Sequence, residues 1–326
     1  MTFDVIIKNG EVIDGSGNGR VKADIGLIGD TIAAVGDLSS ATAREVVDAA
    51  EKIVAPGFID MHSHSDRTVL RFPRGESSVS QGITTSVCGQ CGLSPAPLNK
   101  HWTYGWSEGN WWDRVSPRKY YQEVVGCLDK AKKAAKEIDD LDITWSTFAE
   151  WLDAVEKAGP GLNLRPLVGH STIRTAVMGA DYRRKATPAE IAEMVKYVGE
   201  AMDAGAAGIS NGADYSPNGY CDEYEEVALV SAAARKGGFF SSHWRRTGLR
   251  EGFGNPGLIQ GLKEAIQVAK KAGAQLQIAH LSPGWLTTPG ASPKISACIA
   301  EETLAALDEE MENGVRLAFD VIPNHL

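Results

Sequence analysis

Residues 1 to about 54 carry apolar residues in short clusters. These are Val5-Ile6-Ile7, Glu11-Val12-Ile13, Ala23 to Ile28, Thr31 to Val35 and Val46-Val47-Asp48, separated by turn-forming residues. Runs this short predict strands of a small all-β module, with Asn9-Gly10 and Gly29-Asp30 as hairpin turns. Beyond Pro56 the pattern changes. Strand-length runs at Gly57 to His62, Ile83 to Cys88, Arg165 to Gly169, Ala206 to Ser210, Phe239 to His243, Gln275 to His280 and Val315 to Val321 alternate with segments of helical period. Such alternation predicts a parallel sheet with helices packed against it. The best-marked helix opens at Thr187-Pro188-Ala189-Glu190, with a hydroxyl cap, proline in the first turn and a glutamate three residues past the cap. Ile191, Met194, Val195, Val198 and Met202 then share a face, and Gly205 supplies the stop. Asp222 to Arg235, Leu258 to Ala272 and Ile295 to Glu312 repeat this logic.

The pattern therefore predicts an α/β fold, an incomplete TIM-type (β/α) barrel of about seven of eight units over residues 55–326, following the β module of residues 1–54. An unclosed barrel exposes two strand edges, so the expectation is that a second polypeptide supplies strand eight, or that the chain is a processed fragment of a longer one. At 326 residues with 43% apolar composition the chain can bury a sizeable core. A formal charge of -9 without a Lys/Arg block argues against nucleic acid or an anionic membrane as partner. No targeting or membrane-spanning run stands out, and the location expected is cytoplasmic. Five cysteines scattered over the chain are not a disulfide framework. Cys88 and Cys91 form a lone C-x-x-C pair without the second pair of a zinc ribbon.

Chemistry gathers at the ends of the predicted strands. His62 and His64 leave the same face of an extended segment. Cys91 follows strand two, His243 ends strand five and His280 ends strand six. Active groups of such barrels sit at the C-terminal ends of strands. A thiolate with two imidazoles and an open fourth position is a catalytic zinc arrangement.

Several segments are specific enough to name a family. They are Ala55-Pro56-Gly57-Phe58-Ile59-Asp60 with His62 and His64; Gln81-Gly82-Ile83-Thr84-Thr85 running to Gly89-Gln90-Cys91-Gly92; and Val168-Gly169-His170-Ser171-Thr172-Ile173-Arg174. Gly205 to Ser210, Tyr215, Pro217, His243, His280 and Phe319-Asp320-Val321 complete the set. Over nearly the whole chain the sequence resembles the N-acyl-D-amino-acid deacylases, or D-aminoacylases, of the metal-dependent amidohydrolase superfamily. The resemblance implies a β-sandwich for the N-terminal module, completed elsewhere by C-terminal sequence. It implies that Cys91 replaces a carboxylated lysine and joins His243 and His280 at a tight zinc position, with His62 and His64 at a second, weaker one. It also implies a general-base aspartate on strand eight. Asp320 matches the strand-seven motif instead, so the base is expected on the partner or the missing segment.

Substrate-binding candidates are His170, Tyr215, Arg245 and Trp285. The insertion 101–140 carries Trp102, Trp106, Trp111 and Trp112 and is expected over the site, lining a pocket or burying against another chain. The chain departs from the family after His243, where Trp244-Arg245-Arg246 stands, and after His280, where Leu281-Ser282 replaces a carboxylate-holding lysine motif. The function expected is hydrolysis of a C–N amide bond, N-acyl-amino-acid-like, linear or cyclic, by a zinc-activated water on a small-molecule substrate. The alternative is a non-catalytic amidohydrolase-like scaffold or binding subunit of a hetero-oligomer.

Overall fold

A computed structural model describes residues 2–99, 128–214, 217–245, 257–281 and 293–322. The chain divides into two compact units, residues 1–58 and 59–326.

The first unit holds seven short strands, β1 (Thr2–Lys8), β2 (Glu11–Val12), β3 (Val21–Lys22), β4 (Asp24–Ile28), β5 (Thr31–Gly36), β6 (Thr42–Asp48) and β7 (Ile53–Val54). They form two sheets, ordered β5-β4-β1-β6 and β3-β2-β7. Gly29-Asp30 is the expected hairpin turn, since Ile28 pairs with Thr31 across β4 and β5. Asn9-Gly10 is not. It passes the chain from one sheet to the other, and Gly10 is held so close to Val54 that a Cβ there would lie 2.5 Å from its methyl. The corner uses the turn chemistry of a hairpin for a change of sheet.

β8 (Phe58–Asp60) starts at the boundary, and the second unit continues with β9 (Ile83–Cys88), β10 (Asn163–Pro166), β11 (Val168–Gly169), β12 (Gly208–Gly212), β13 (Phe239–His243), β14 (Leu276–Ile278) and β15 (Leu317–Phe319). β10 pairs with β9 and β11 with β12, both parallel, and only Leu167 separates them. One stretch thus joins the sheet β10-β9-β8 to the sheet β11-β12-β13-β14-β15. Every neighbouring pair from β11 to β15 is parallel and follows chain order. Met61, Val87, Leu167, Ala207 and Phe239, which lie in or directly beside β8, β9, β10, β12 and β13, pack together in a cluster separate from the main core. That is the inner layer of a curved parallel sheet.

The main core lies between sheet and helices and includes Trp151, Met194, Leu229, Phe240, Trp244 and Ile266. The helix Pro188–Ala204 has the expected cap: Thr187 and Glu190 form a reciprocal box, and Gly205 ends the helix at a φ of 113°. A second box, Thr147 with Glu150, starts the helix Phe148–Ala158. Strand three ends at Gly169, as the sequence pattern suggests, and His170 opens the helix His170–Met178. Among the described residues no helix is long and apolar enough to cross a membrane.

Candidate metal centre

Side chains far apart in sequence meet at the C-terminal ends of these strands. His62 and His64 follow β8, with rings 5.6 Å apart edge to face. Cys91 comes from the turn after β9, His243 ends β13, and His280 follows β14. The donor atoms of Cys91, His243 and His280 lie within 4.8 Å of one another, as do those of His62, His64 and Cys91. The sulfur of Cys91 is thus common to both groups. It lies 3.4 Å from Nε2 of His62 and 3.6 Å from Nε2 of His280. Cys91, His243 and His280 are buried, His62 is partly buried and His64 is exposed.

The electrostatics favour an anionic sulfur. Burial acts to raise the Cys91 thiol, but hydrogen bonding with His243, His280, His62 and His64 outweighs it and holds the thiol well below its ordinary value. His62 responds in the opposite sense. Burial opposes its charge, yet Asp320 and Cys91 on either side push it up to about 10.

Asp320, just past β15, is the neighbour that sequence reasoning assigned no role. Its Oδ1 is 3.3 Å from Nδ1 of His62 and accepts the backbone N–H of His280 at 2.6 Å. Its Oδ2 accepts the amide of Gln277 at 2.9 Å. Burial raises this carboxyl, while His62 above all and Gln277 hold it below the ordinary aspartate value. A carboxylate on the far nitrogen of an imidazole fixes the ring's tautomer and direction. The signal was present in the sequence as Phe319-Asp320-Val321, a carboxylate at a strand end, but nothing there pairs it with His62.

The turn carrying Cys91 is unusual backbone, with φ of 75° at Gly89, 58° at Cys91 and 75° at Gly92. Glycine is needed at its first position because an added Cβ would lie 2.1 Å from the carbonyl oxygen of Leu167. Gly89→Ala is expected to destabilise the protein by about 2–3 kcal/mol, from left-handed strain plus backbone displacement. A lowered urea midpoint at unchanged slope is the measurement; an unchanged midpoint would refute the close packing of this turn.

The substrate-binding expectations fare differently. Arg245 is engaged elsewhere, its Nε donating to Glu264 at 3.1 Å and a terminal nitrogen to the Ala213 carbonyl at 3.4 Å. Its guanidinium ties the end of β13 to the helix Gly257–Ala272. His170 is 1% exposed and sits inside a polar network. Its Nε2 is 2.8 Å from Oε1 of Glu225 and its Nδ1 is 3.1 Å from the amide nitrogen of Asn218. Oδ1 of Asn218 accepts the Gly212 N–H, so Nδ2 is the end facing His170 and the ring is the Nε2–H tautomer. Both ring nitrogens are thus engaged with side chains behind the strand ends. Tyr215, Trp285 and residues 100–127, which include the four insertion tryptophans, lie outside the described residues.

The donor set fits a borderline-soft divalent ion such as zinc, since one buried sulfur held toward its anion stands among convergent imidazoles. Parallel strands in chain order with polar ligands at their C-terminal ends define a TIM-type α/β scaffold of the kind that hosts metal-assisted hydrolysis. Residues 45–281 match the family described as Amidohydrolase family. The chain belongs to that family, in its D-aminoacylase group. It is 35% identical over 278 residues to the D-aminoacylase of Alcaligenes xylosoxydans xylosoxydans, a match covering 85% of this chain and 50% of the relative. The crystal structure of a D-aminoacylase superposes with a TM-score of 0.77 at 32% identity, covering 99% of this chain and 59% of that one. The N-acyl-D-glutamate deacylase from Bordetella bronchiseptica, solved with zinc and a phosphonate inhibitor mimicking the tetrahedral intermediate, gives 0.76 at 29% identity, covering 99% and 59%. The chain spans about half the length of the curated relatives it matches. The solved relatives carry their remaining length in the same polypeptide, so the expectation of a separately encoded second chain finds no support among them.

Proposed function

We propose that this chain carries the metal-binding part of a zinc-dependent amidohydrolase that cleaves the C–N bond of an N-acylated amino acid or a related small amide. The observation that carries the reading is the meeting of Cys91, His62, His64, His243 and His280 around one sulfur. In this reading Cys91, His243 and His280 would hold the tight ion, and His62 and His64 would serve a second, weaker position. When bound, zinc would supply Lewis acidity toward the amide carbonyl and lower the pKa of coordinated water.

The chain's own residues supply placement and charge. Cys91 adds a negative charge that keeps an ion seated in a buried pocket of imidazoles. Asp320 sets a carboxylate oxygen 3.3 Å from Nδ1 of His62, while Nε2 of the same ring faces that sulfur at 3.4 Å. Trp244, fully buried, donates its indole N–H to the carbonyl of Ala279 at 3.2 Å, tying the residue beside His243 to the residue before His280. An amine leaves an amide only when protonated, so a proton-transfer group is required. We assign it to an aspartate on an eighth strand. The same reading takes the two small sheets of residues 1–58 as part of a β-sandwich module, with residues 59–326 as an incomplete barrel.

The test is zinc titration of the chain followed by hydrolysis of N-acyl-D- and N-acyl-L-amino acids, with and without the longer polypeptide expected to contain strand eight. We expect about one zinc per chain at high affinity and chelator-sensitive amine release in the complete protein. Tight zinc without turnover in the complete protein would favour a binding scaffold instead, and absence of zinc would remove both readings.

A further inference from the structure

Cys91 is an L-residue with a left-handed backbone, a conformation that side-chain-bearing residues adopt only when their surroundings impose it. What imposes it here is not obvious from the turn alone. Leu93 donates its N–H to the Gln90 carbonyl at 3.1 Å, closing the far half of the turn. The Gln90 side chain reaches the Met61 carbonyl at 2.9 Å and accepts from Ser241 at 2.6 Å, which anchors Gln90 itself. The peptide groups on either side of the Gln90-Cys91 pair converge on a single hydroxyl. Ser210, on β12 and fully buried, donates to the Gly89 carbonyl at 2.5 Å and accepts the Gly92 N–H at 3.0 Å. A hydroxyl has one proton to give and lone pairs to receive, so both bonds form at once.

We propose that Ser210 is a positioning residue for the metal-ligand sulfur, clipping the two ends of the Gly89–Gly92 turn so that Cys91 projects toward His62, His243 and His280. The inference rests on the metal-centre reading above. A hydroxyl on a different strand sets the sulfur's direction, so strands β9 and β12 are coupled through one atom. Alanine at 210 leaves the Gly89 carbonyl and the Gly92 amide without this partner and lets the turn relax toward right-handed backbone. Threonine keeps the hydroxyl and with it the clip.

The probe is cobalt(II) added to the full chain, because a cobalt–thiolate bond gives a charge-transfer absorption in the near ultraviolet that imidazole ligation alone does not. We expect the unsubstituted protein to show the band, Ser210→Ala to bind cobalt roughly 10–100-fold more weakly with the band diminished at saturation, and Ser210→Thr to restore both. Ser86→Ala is the comparator: its hydroxyl is equally buried but meets Ser65 at 3.2 Å instead of the turn. If Ser210→Ala lowers only the melting temperature and its folded fraction keeps the full band, or if Ser86→Ala has the same effect on the band, the positioning role is overturned. Should Ser210→Ala not fold, the outcome passes to Ser210→Thr and Ser210→Val: a band strong in the first and weak in the second supports the clip, and equal bands overturn it. Absence of the band in the unsubstituted protein would instead overturn the metal-centre reading, and Ser210 with it.

Discussion

Cys91→Ser is expected to abolish tight zinc binding and, in the complete protein, to reduce amide hydrolysis by about 10³-fold or more. The backbone argument makes this substitution informative, because serine faces the same left-handed φ of 58° and nearly the same volume, so fold and turn are retained. What changes is the donor. A serine hydroxyl stays protonated where the thiol is held well below its ordinary value by four imidazoles. The pocket then offers neutral ligands only, and an ion there lacks the charge that compensates its loss of water. The measurements are zinc content after dialysis and turnover of an N-acyl-amino acid. Because the sulfur belongs to both ligand groups, both positions should lose affinity together. Full zinc content and activity in Cys91→Ser would mean that the sulfur is not a ligand.

The sequence made the strand ends legible because two signals coincide there. Apolar runs of strand length locate β8, β9, β13 and β14, and the histidines and cysteine that follow them are residue types with few other reasons to recur at one level of a sheet. Boundaries were less legible. The run expected at Ala206 to Ser210 is paired over Gly208–Gly212, which moves Ser210 from the end of the strand to its middle. That shift is what brings its hydroxyl to the Cys91 turn, and no periodicity argument could locate it. His170 shows a related limit: Val168-Gly169-His170 has strand-like composition, but the chain turns helical at His170 and aims the ring at Glu225, which is 55 residues away in sequence. Contacts made through partners on distant segments leave no local pattern. Asp320 illustrates the same limit, since its partners His62 and His280 lie on segments the sequence does not relate to it.

Glu225→Ala is expected to destabilise the protein by about 3–5 kcal/mol, enough to remove much of the folding free energy of a typical domain. Glu225 and Arg174 are both 0% exposed. The carboxylate receives His170 through one oxygen and Arg174 through the other, while Arg174 also reaches the carbonyls of Tyr182 and Arg184. Burial raises the Glu225 carboxyl, but His170 and Arg174 together hold it below its ordinary value of 4.5. Removing it strands a guanidinium charge away from water and leaves the Nε2–H of His170 without its acceptor, and each loss costs more than the intact pair contributes. The sign with pH follows from the depressed value. The stabilisation is complete above the ordinary glutamate value and is lost as the pH falls through the lower folded one, so the unsubstituted protein should lose this contribution in acid while Glu225→Ala lacks it throughout. Pairing the change with Arg174→Met removes the orphaned charge and should recover more than half of the loss, leaving the His170 donor as the main residual cost. Urea unfolding of the two single variants and the double variant at neutral and acidic pH measures the coupling directly. Additive losses in that cycle would show that Arg174 and Glu225 do not depend on each other, and the polar brace behind the strand ends would then have to be sought in other contacts.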